Sequence, residues 1–110
     1  MPSYILYAFQ PIQGFFFPDN LITRLPDNPM IYLAADHGGF ELKEKLKKHL
    51  LDTGKEVHDL GPEKLNPTDD FPDFAIPLAK KVAESDENLG IVLCRNGVGV
   101  EVAANKIDGV

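Results

Sequence analysis

Residues 91–106 read IVLCRNGVGVEVAANK, and this run decides the architecture. The apolar segment Ile91–Leu93 ends on Cys94, the only cysteine of the chain. Gly97 and Gly99 follow, and a small-residue segment then leads through Ala103 and Ala104 to Lys106. An apolar strand that stops, turns through glycine and feeds a helix is one half of a strand–helix–strand unit.

Upstream, the same alternation repeats. Met30–Ala35, MIYLAA, reads as a buried strand. After Asp36-His37-Gly38-Gly39, the stretch FELKEKLKKHLL carries Leu42, Leu46 and Leu50 at a spacing of four, with lysines and glutamates between them. That is an amphipathic helix, and Gly54 is its stop signal. KEVHDL, residues 55–60, reads as a second strand, closed by Gly61-Pro62. Residues 62–70 are polar and broken by proline, hence a loop. A second helix opens at Asp70-Phe71-Pro72 with Asp70 as its N-cap and Phe74, Leu78 and Val82 on its apolar face. Pro77 is awkward there unless it sits in the first turn or at a kink. LGIVLC, residues 89–94, is the third strand, and Val100–Lys106 the third helix.

The order βαβαβα, with short strands rich in Ile, Val and Leu, predicts an α/β fold: a parallel sheet covered by helices. A strand order 2-1-3 would bring the loops after the first and third strands together. In such sheets ligands bind at the carboxyl ends of the strands, where the order reverses.

Residues 1–29 differ from the rest. They hold five of the nine prolines and six of the ten aromatics, but only three charges, Asp19, Arg24 and Asp27. No period of 2 or 3.6 persists. The stretch lacks the basic start and unbroken apolar core of a secretory signal, and its prolines rule out a membrane-spanning helix. Its FFF, residues 15–17, could dock a partner; the plainer reading is a poorly ordered extension before a domain at 30–110.

At 110 residues a single domain is expected. The net charge of -6, without a basic stripe, argues against nucleic acid as a partner. One cysteine excludes an internal disulfide and fits a reducing compartment, the cytoplasm. No two of the three histidines show metal-ligand spacing, so no metal site is expected. His49 and His58 are assigned to surface or packing roles. The Gly-x-Gly of residues 97–99 lacks the third glycine and downstream acid of a dinucleotide site.

The chemistry gathers at the two strand-end loops. A helix N-terminus favours negative charge, and a thiolate there is a nucleophile or a base. The N–H groups of residues 97–100 could hold an oxyanion. Asp36 and His37 could move protons on oxygen or hold a hydroxyl or phosphate. Each element has a plainer alternative. Cys94 could be a small buried hydrophobe, the glycines could ease a tight turn, and Asp36 could cap the first helix.

Taken together, AADHGGFELKEKLKKHL, DLGP, DDFPDFA, GIVLC, NGVGVEVAANK and IDGV, in this order and spacing, resemble the ribose-5-phosphate isomerase B family, which includes the galactose-6-phosphate isomerase subunits. The resemblance covers residues 30–110; residues 1–29 have no counterpart. It implies a Rossmann-like three-layer α/β/α fold and cofactor-independent aldose–ketose isomerisation of a sugar phosphate through an enediolate, ribose 5-phosphate to ribulose 5-phosphate first. By position, Cys94 would be the base. Asn96 and the amides of Gly97, Val98, Gly99 and Val100 would form the anion hole. Asp36 and His37 would contact substrate, with Asp36 also moving a proton between its oxygens, and Phe71 would stand at the pocket mouth.

Two departures matter. Arg95-Asn96 stands where Gly-Thr is common, so Arg95 could alter preference, bind an anion or point to solvent; Phe71 stands where tyrosine is usual. The resemblance also implies further strands after Val110, bearing a ring-opening histidine and phosphate-binding arginines. The chain is therefore expected to be a C-terminally truncated member with three strands, an open edge on the third, self-association as a homodimer or larger, and negligible turnover alone. The alternatives are a non-catalytic sugar-phosphate-binding or interaction fragment, or a galactose-6-phosphate isomerase subunit.

Overall fold

The computed structural model describes residues 4–9, 30–85, 88–108 and 110. Four strands, β1 (Tyr4–Phe9), β2 (Met30–Ala35), β3 (Val57–Asp59) and β4 (Asn88–Cys94), form one sheet in the order β1-β4-β2-β3. All three pairings are parallel. The helices among the described residues are α1 (Phe40–Asp52), α2 (Pro72–Ala83) and α3 (Val98–Ala104). The β3-β2-β4 core is the 2-1-3 order expected for the three strands read from the sequence.

The fourth strand is the main difference. Tyr4–Phe9 lies in the stretch read as a poorly ordered extension, yet it pairs along β4 from Tyr4 opposite Leu89 to Phe9 opposite Cys94. Tyr-Ile-Leu-Tyr-Ala-Phe is a run of β-favouring residues between Pro2 and Pro11, too short to show a period. The outer edge of β4, expected to be open, is therefore covered. The rest of the expectation for 1–29, including FFF, lies outside the described residues.

Alternation along the strands builds two cores. Ile31, Leu33 and Ala35 of β2 and Leu89, Ile91 and Leu93 of β4 face α1 and meet Leu46, with Leu42 and Leu50 packed beside them. Ala34, Val92 and Cys94 face the other way and meet Ala75, Leu78 and Val82 of α2 and Val100 and Ala103 of α3. Strands buried on both faces must be apolar throughout, which is why β2 and β4 show no polar alternation. Each fully buried Leu, Ile or Val contributes about 1.5–3 kcal/mol relative to exposure.

Local details correct the sequence reading. The second strand shrinks to Val57–Asp59. Asp70 does not cap α2: Phe71 is its N-cap, and Asp70 Oδ1 accepts the Phe71 N–H at 2.9 Å. Pro77 lies within α2, neither in its first turn nor at a described kink, so one helical hydrogen bond is lost there; burial of Leu78, Ala79 and Val82 offsets it. α3 starts at Val98, two residues earlier than expected, because Gly97 takes a left-handed φ of 82° and turns the chain straight into the helix.

Lys43, one of the charged positions of α1, is fully buried. Its Nζ donates to Asp59 Oδ2 at 2.7 Å, Glu44 Oε1 at 2.8 Å and the Pro62 carbonyl at 2.9 Å. Lys47 donates to the same Asp59 oxygen at 2.8 Å. This cluster ties α1 to the end of β3 and to the loop that follows.

Candidate functional site

The site begins with register. Ala35 lies opposite Leu93, so Asp36 and Cys94 take the next positions at the carboxyl edge of two adjacent strands. The Asp36 N–H donates to the Leu93 carbonyl at 3.2 Å, which carries the pairing one step past β2. Asp36 is 8% exposed, and the Gly39 N–H donates to both its backbone carbonyl and its Oδ1 at 3.1 Å. The aspartate thus closes the turn into α1, and its second carboxylate oxygen is not part of that turn.

Glycine allows the two loops to touch. A Cβ on Gly38 would lie 3.0 Å from the Arg95 nitrogen. One on Gly39 would lie 2.7 Å from the Leu93 carbonyl carbon. The expected neighbourhood of Asp36–Gly39 and Cys94–Gly99 is therefore a direct backbone contact.

Cys94 is 5% exposed, and its Sγ accepts the Gly97 N–H at 3.0 Å. Asn96 Oδ1 accepts the Val98 N–H at 3.1 Å and lies 3.9 Å from Sγ. Two of the four amides expected to form an anion hole, those of Gly97 and Val98, are therefore already committed within the loop. The first-turn N–H groups of Gly99 and Val100 have no intrahelical acceptor. The Phe71 ring covers Gly99, where an added Cβ would fall 2.9 Å from two ring carbons.

An open cleft of about 330 Å³ lies beside these residues, lined by His37, Gly38, Glu41, Leu65 and Arg95. Of the expected site residues, His37 and Arg95 line it. Cys94 and Asp36, each next in sequence to a lining residue, do not line it and are nearly closed to solvent. Arg95 is exposed and makes no ion pair among the described residues. His49 and His58 are exposed, away from the cleft; the His58 ring stands 5.5 Å from that of Tyr32.

Sequence reasoning missed Asp69. Its Oδ1 accepts the His37 backbone N–H at 2.8 Å and lies 2.8 Å from His37 Nδ1. The hydrogen bond to Asp69 raises the His37 pKa; burial opposes it, and the charge of Asp36 raises it further. The only signal was the doubled acid Asp69-Asp70, and spacing alone could not tell which carboxylate turns inward. Nothing in the sequence marks Glu41 or Leu65 beyond a helix position and a loop position.

Comparison with known proteins gives this geometry a family. The family profile described as Ribose/Galactose Isomerase matches residues 31–110. A Mycoplasma pneumoniae protein named probable ribose-5-phosphate isomerase B is 48% identical over 83 residues, covering 76% of this chain and 55% of that protein. Ribose-5-phosphate isomerase B of Mycobacterium tuberculosis is 43% identical over 79 residues, covering 72% and 49%. The crystal structure of ribose-5-phosphate isomerase B from Mycoplasma genitalium with bound ribulose 5-phosphate superposes with a TM-score of 0.71 at 48% identity, covering 74% of this chain and 54% of that one. The chain spans about half the length of the curated relatives it matches. No helix among the described residues is long and apolar enough to cross a membrane.

Proposed function

This chain belongs to the Ribose/Galactose Isomerase family, and on that premise we propose that it acts in aldose–ketose isomerisation of a phosphorylated sugar, with ribose 5-phosphate as the first candidate. The observation that carries the reading is the register of β2 and β4, which sets Asp36 and Cys94 side by side at the strand ends, beside a cleft lined by His37 and Arg95. In the proposed reaction Cys94, as thiolate, removes the C2 proton of the open-chain aldose. The C–H electron pair becomes the C1–C2 double bond, and the carbonyl pair moves to O1. Asp36 shifts a proton between O2 and O1, and Cys94 returns its proton to C1, giving the ketose. Proton transfer of this kind needs neither metal nor redox partner, and no cofactor is invoked.

In the binding step, His37 and Arg95 face the anionic part of the ligand. Asn96 and the free N–H groups of Gly99 and Val100 face the developing oxyanion. Phe71 closes the apolar side over Gly99. The domain comprises residues 30–110 with the strand Tyr4–Phe9 added to its sheet, and it works in the cytoplasm as a homo-oligomer; Val98 and Val102, 60% and 56% exposed on one side of α3, support self-association.

The test is to incubate the 110-residue protein with ribose 5-phosphate in D2O and follow loss of the C2 proton by NMR, with galactose 6-phosphate as the competing substrate. Saturable binding and C2 exchange are expected, with the negligible net formation of ribulose 5-phosphate anticipated from the sequence. Neither binding nor exchange with either sugar would overturn the reading. Saturable binding without exchange would favour the second reading, a sugar-phosphate-binding protein. The burial of Cys94 and Asp36 beside a cleft that they do not line argues for that second reading.

A further inference from the structure

Resting on that reading of the cleft, we infer that Asp69 is a positioning residue: it fixes the ring of His37 so that Nδ1–H is held by the protein and Nε2 is the nitrogen offered to the ligand. The two residues are 32 apart in sequence, and one carboxylate oxygen takes both the His37 backbone N–H and Nδ1, each at 2.8 Å. Two contacts from one residue to one atom orient the ring about its side-chain torsions. An ionised carboxylate only accepts hydrogen bonds, so Nδ1 must carry the proton. The tautomer thus follows from the partner rather than from an observed hydrogen. Nε2 has no hydrogen-bond partner among the described residues, and the His37 side chain, 37% exposed, lines the cleft.

The burial of the pair points the same way. The Asp69 side chain is only 7% exposed, and its Oδ2 is buried with no partner among the described residues. His37 is the side chain that faces this charge. The other charged groups around the ring are Asp36 before it in sequence, and Glu41 and Arg95 in the cleft lining. Asp69 and Asp36 together keep the ring protonated to higher pH than a free histidine. Protonated, Nε2 donates to an anionic oxygen; neutral, the same nitrogen accepts a proton from a ligand hydroxyl. The neighbouring Asp70 has no such role, because it is exposed and its Oδ1 accepts the Phe71 N–H.

The experiment is a nitrogen-15 titration of the histidine rings in the intact protein and in Asp69→Asn, Asp69→Ala and Asp70→Asn. In the wild type, His37 should show the Nδ1–H tautomer at high pH and a midpoint above 6.5. Asp69→Asn keeps a carbonyl acceptor for Nδ1–H but loses the charge, so the tautomer should persist and the midpoint should fall. Asp69→Ala should shift the neutral ring toward the Nε2–H form preferred by free histidine. Asp70→Asn should change neither. A wild-type ring in the Nε2–H form, or a midpoint that Asp69→Asn does not lower, overturns the inference, and neither result depends on how Asp69→Ala folds. The same samples titrated with ribose 5-phosphate separate the two readings. If the ring behaves as stated but no resonance responds to the sugar, the functional reading fails while the His37–Asp69 pairing stands. If the sugar binds but the tautomer is wrong, only this inference fails.

Discussion

Gly39 and Leu93 are in backbone contact: a Cβ on Gly39 would lie 2.7 Å from the Leu93 carbonyl carbon and 2.8 Å from its oxygen. Those atoms belong to β4, paired on both sides, and cannot step aside without disturbing the ladder. The contrast is Gly99, whose hypothetical Cβ meets the far end of the Phe71 ring, which can swing. Gly39→Ala should therefore destabilise by about 1–3 kcal/mol, as overpacking does. Gly99→Ala should shift the melting temperature far less while moving Phe71. Thermal melts of the two variants decide the matter; equal losses would mean that the β2–α1 loop yields as easily as a side chain.

Lys43 offers a second test, and it includes pH. Its ammonium is fully buried and bonded to Asp59, Glu44 and the Pro62 carbonyl. Lys47 is partly exposed and shares Asp59. Removing one partner of a buried ion pair costs about 3–5 kcal/mol, whereas an exposed pair is worth about 0–1 kcal/mol. Lys43→Ala should thus be severely destabilising and Lys47→Ala mild, as read by urea unfolding. Burial pushes Asp59 up, but hydrogen bonds from Lys43, Lys47 and the Gly61 N–H outweigh it and hold its pKa below the ordinary value. Hydrogen bonding to Lys43 likewise lowers Glu44. A depressed carboxylate contributes stability that is complete above its unfolded pKa and is lost as pH falls through its folded pKa. Stability should therefore hold above about pH 5 and decline below about pH 4. Asp59→Asn should flatten that acid limb; a limb unchanged by the substitution would assign the loss to other carboxylates.

The uneven legibility of the chain has physical causes. β2, β4 and α1 announce themselves because their burial is periodic or continuous; the alternation leaves the strand order open, and 2-1-3 is the order that brings the two strand-end loops together. β1 escaped because an edge strand of six residues between prolines carries neither period nor turn signal; its place is set by β4, more than eighty residues away in sequence. Cys94, Asp36 and the glycines could be placed at one edge because strand ends are local features. Asp69 could not, since pairing with His37 depends on how the loop 62–70 folds back. Lys43 looked like one more solvated lysine of an amphipathic helix, and only the return of Asp59 and Pro62 beside α1 makes its burial possible.

The β1–β4 pairing predicts a consequence for assembly. Deleting residues 1–29 removes β1 and uncovers the outer edge of β4, Asn-Leu-Gly-Ile-Val-Leu-Cys, six of whose seven residues are buried. An uncovered apolar edge invites pairing with another chain. A protein starting at Met30 should retain the circular dichroism of an α/β domain but scatter more light with rising concentration than the full chain. It should also melt lower, by roughly 4–8 °C for each kcal/mol lost. A monodisperse Met30–Val110 protein with an unchanged melting temperature would show that β1 contributes nothing and that the extension is dispensable.

Cys94 has a structural task and a proposed chemical one, and substitution can separate them. Structurally, Sγ is the acceptor for the Gly97 N–H at 3.0 Å and packs in the core between β4, α2 and α3. Cys94→Ala leaves that buried N–H without its acceptor, a loss of about 1–3 kcal/mol. Cys94→Ser puts an oxygen near the place of sulfur and can accept from Gly97, so it should regain part of the lost stability. Chemically the order is different, because a serine hydroxyl is not a base near neutral pH. If Cys94 abstracts the C2 proton, both variants should lose exchange by ~10²–10⁴-fold, while ribose 5-phosphate still perturbs the His37 and Arg95 resonances. Stability and exchange would then separate: serine above alanine in melting temperature, the two alike in exchange. Near-normal exchange in Cys94→Ser would remove the thiol from the reaction and leave it as the buried acceptor that holds the turn into α3.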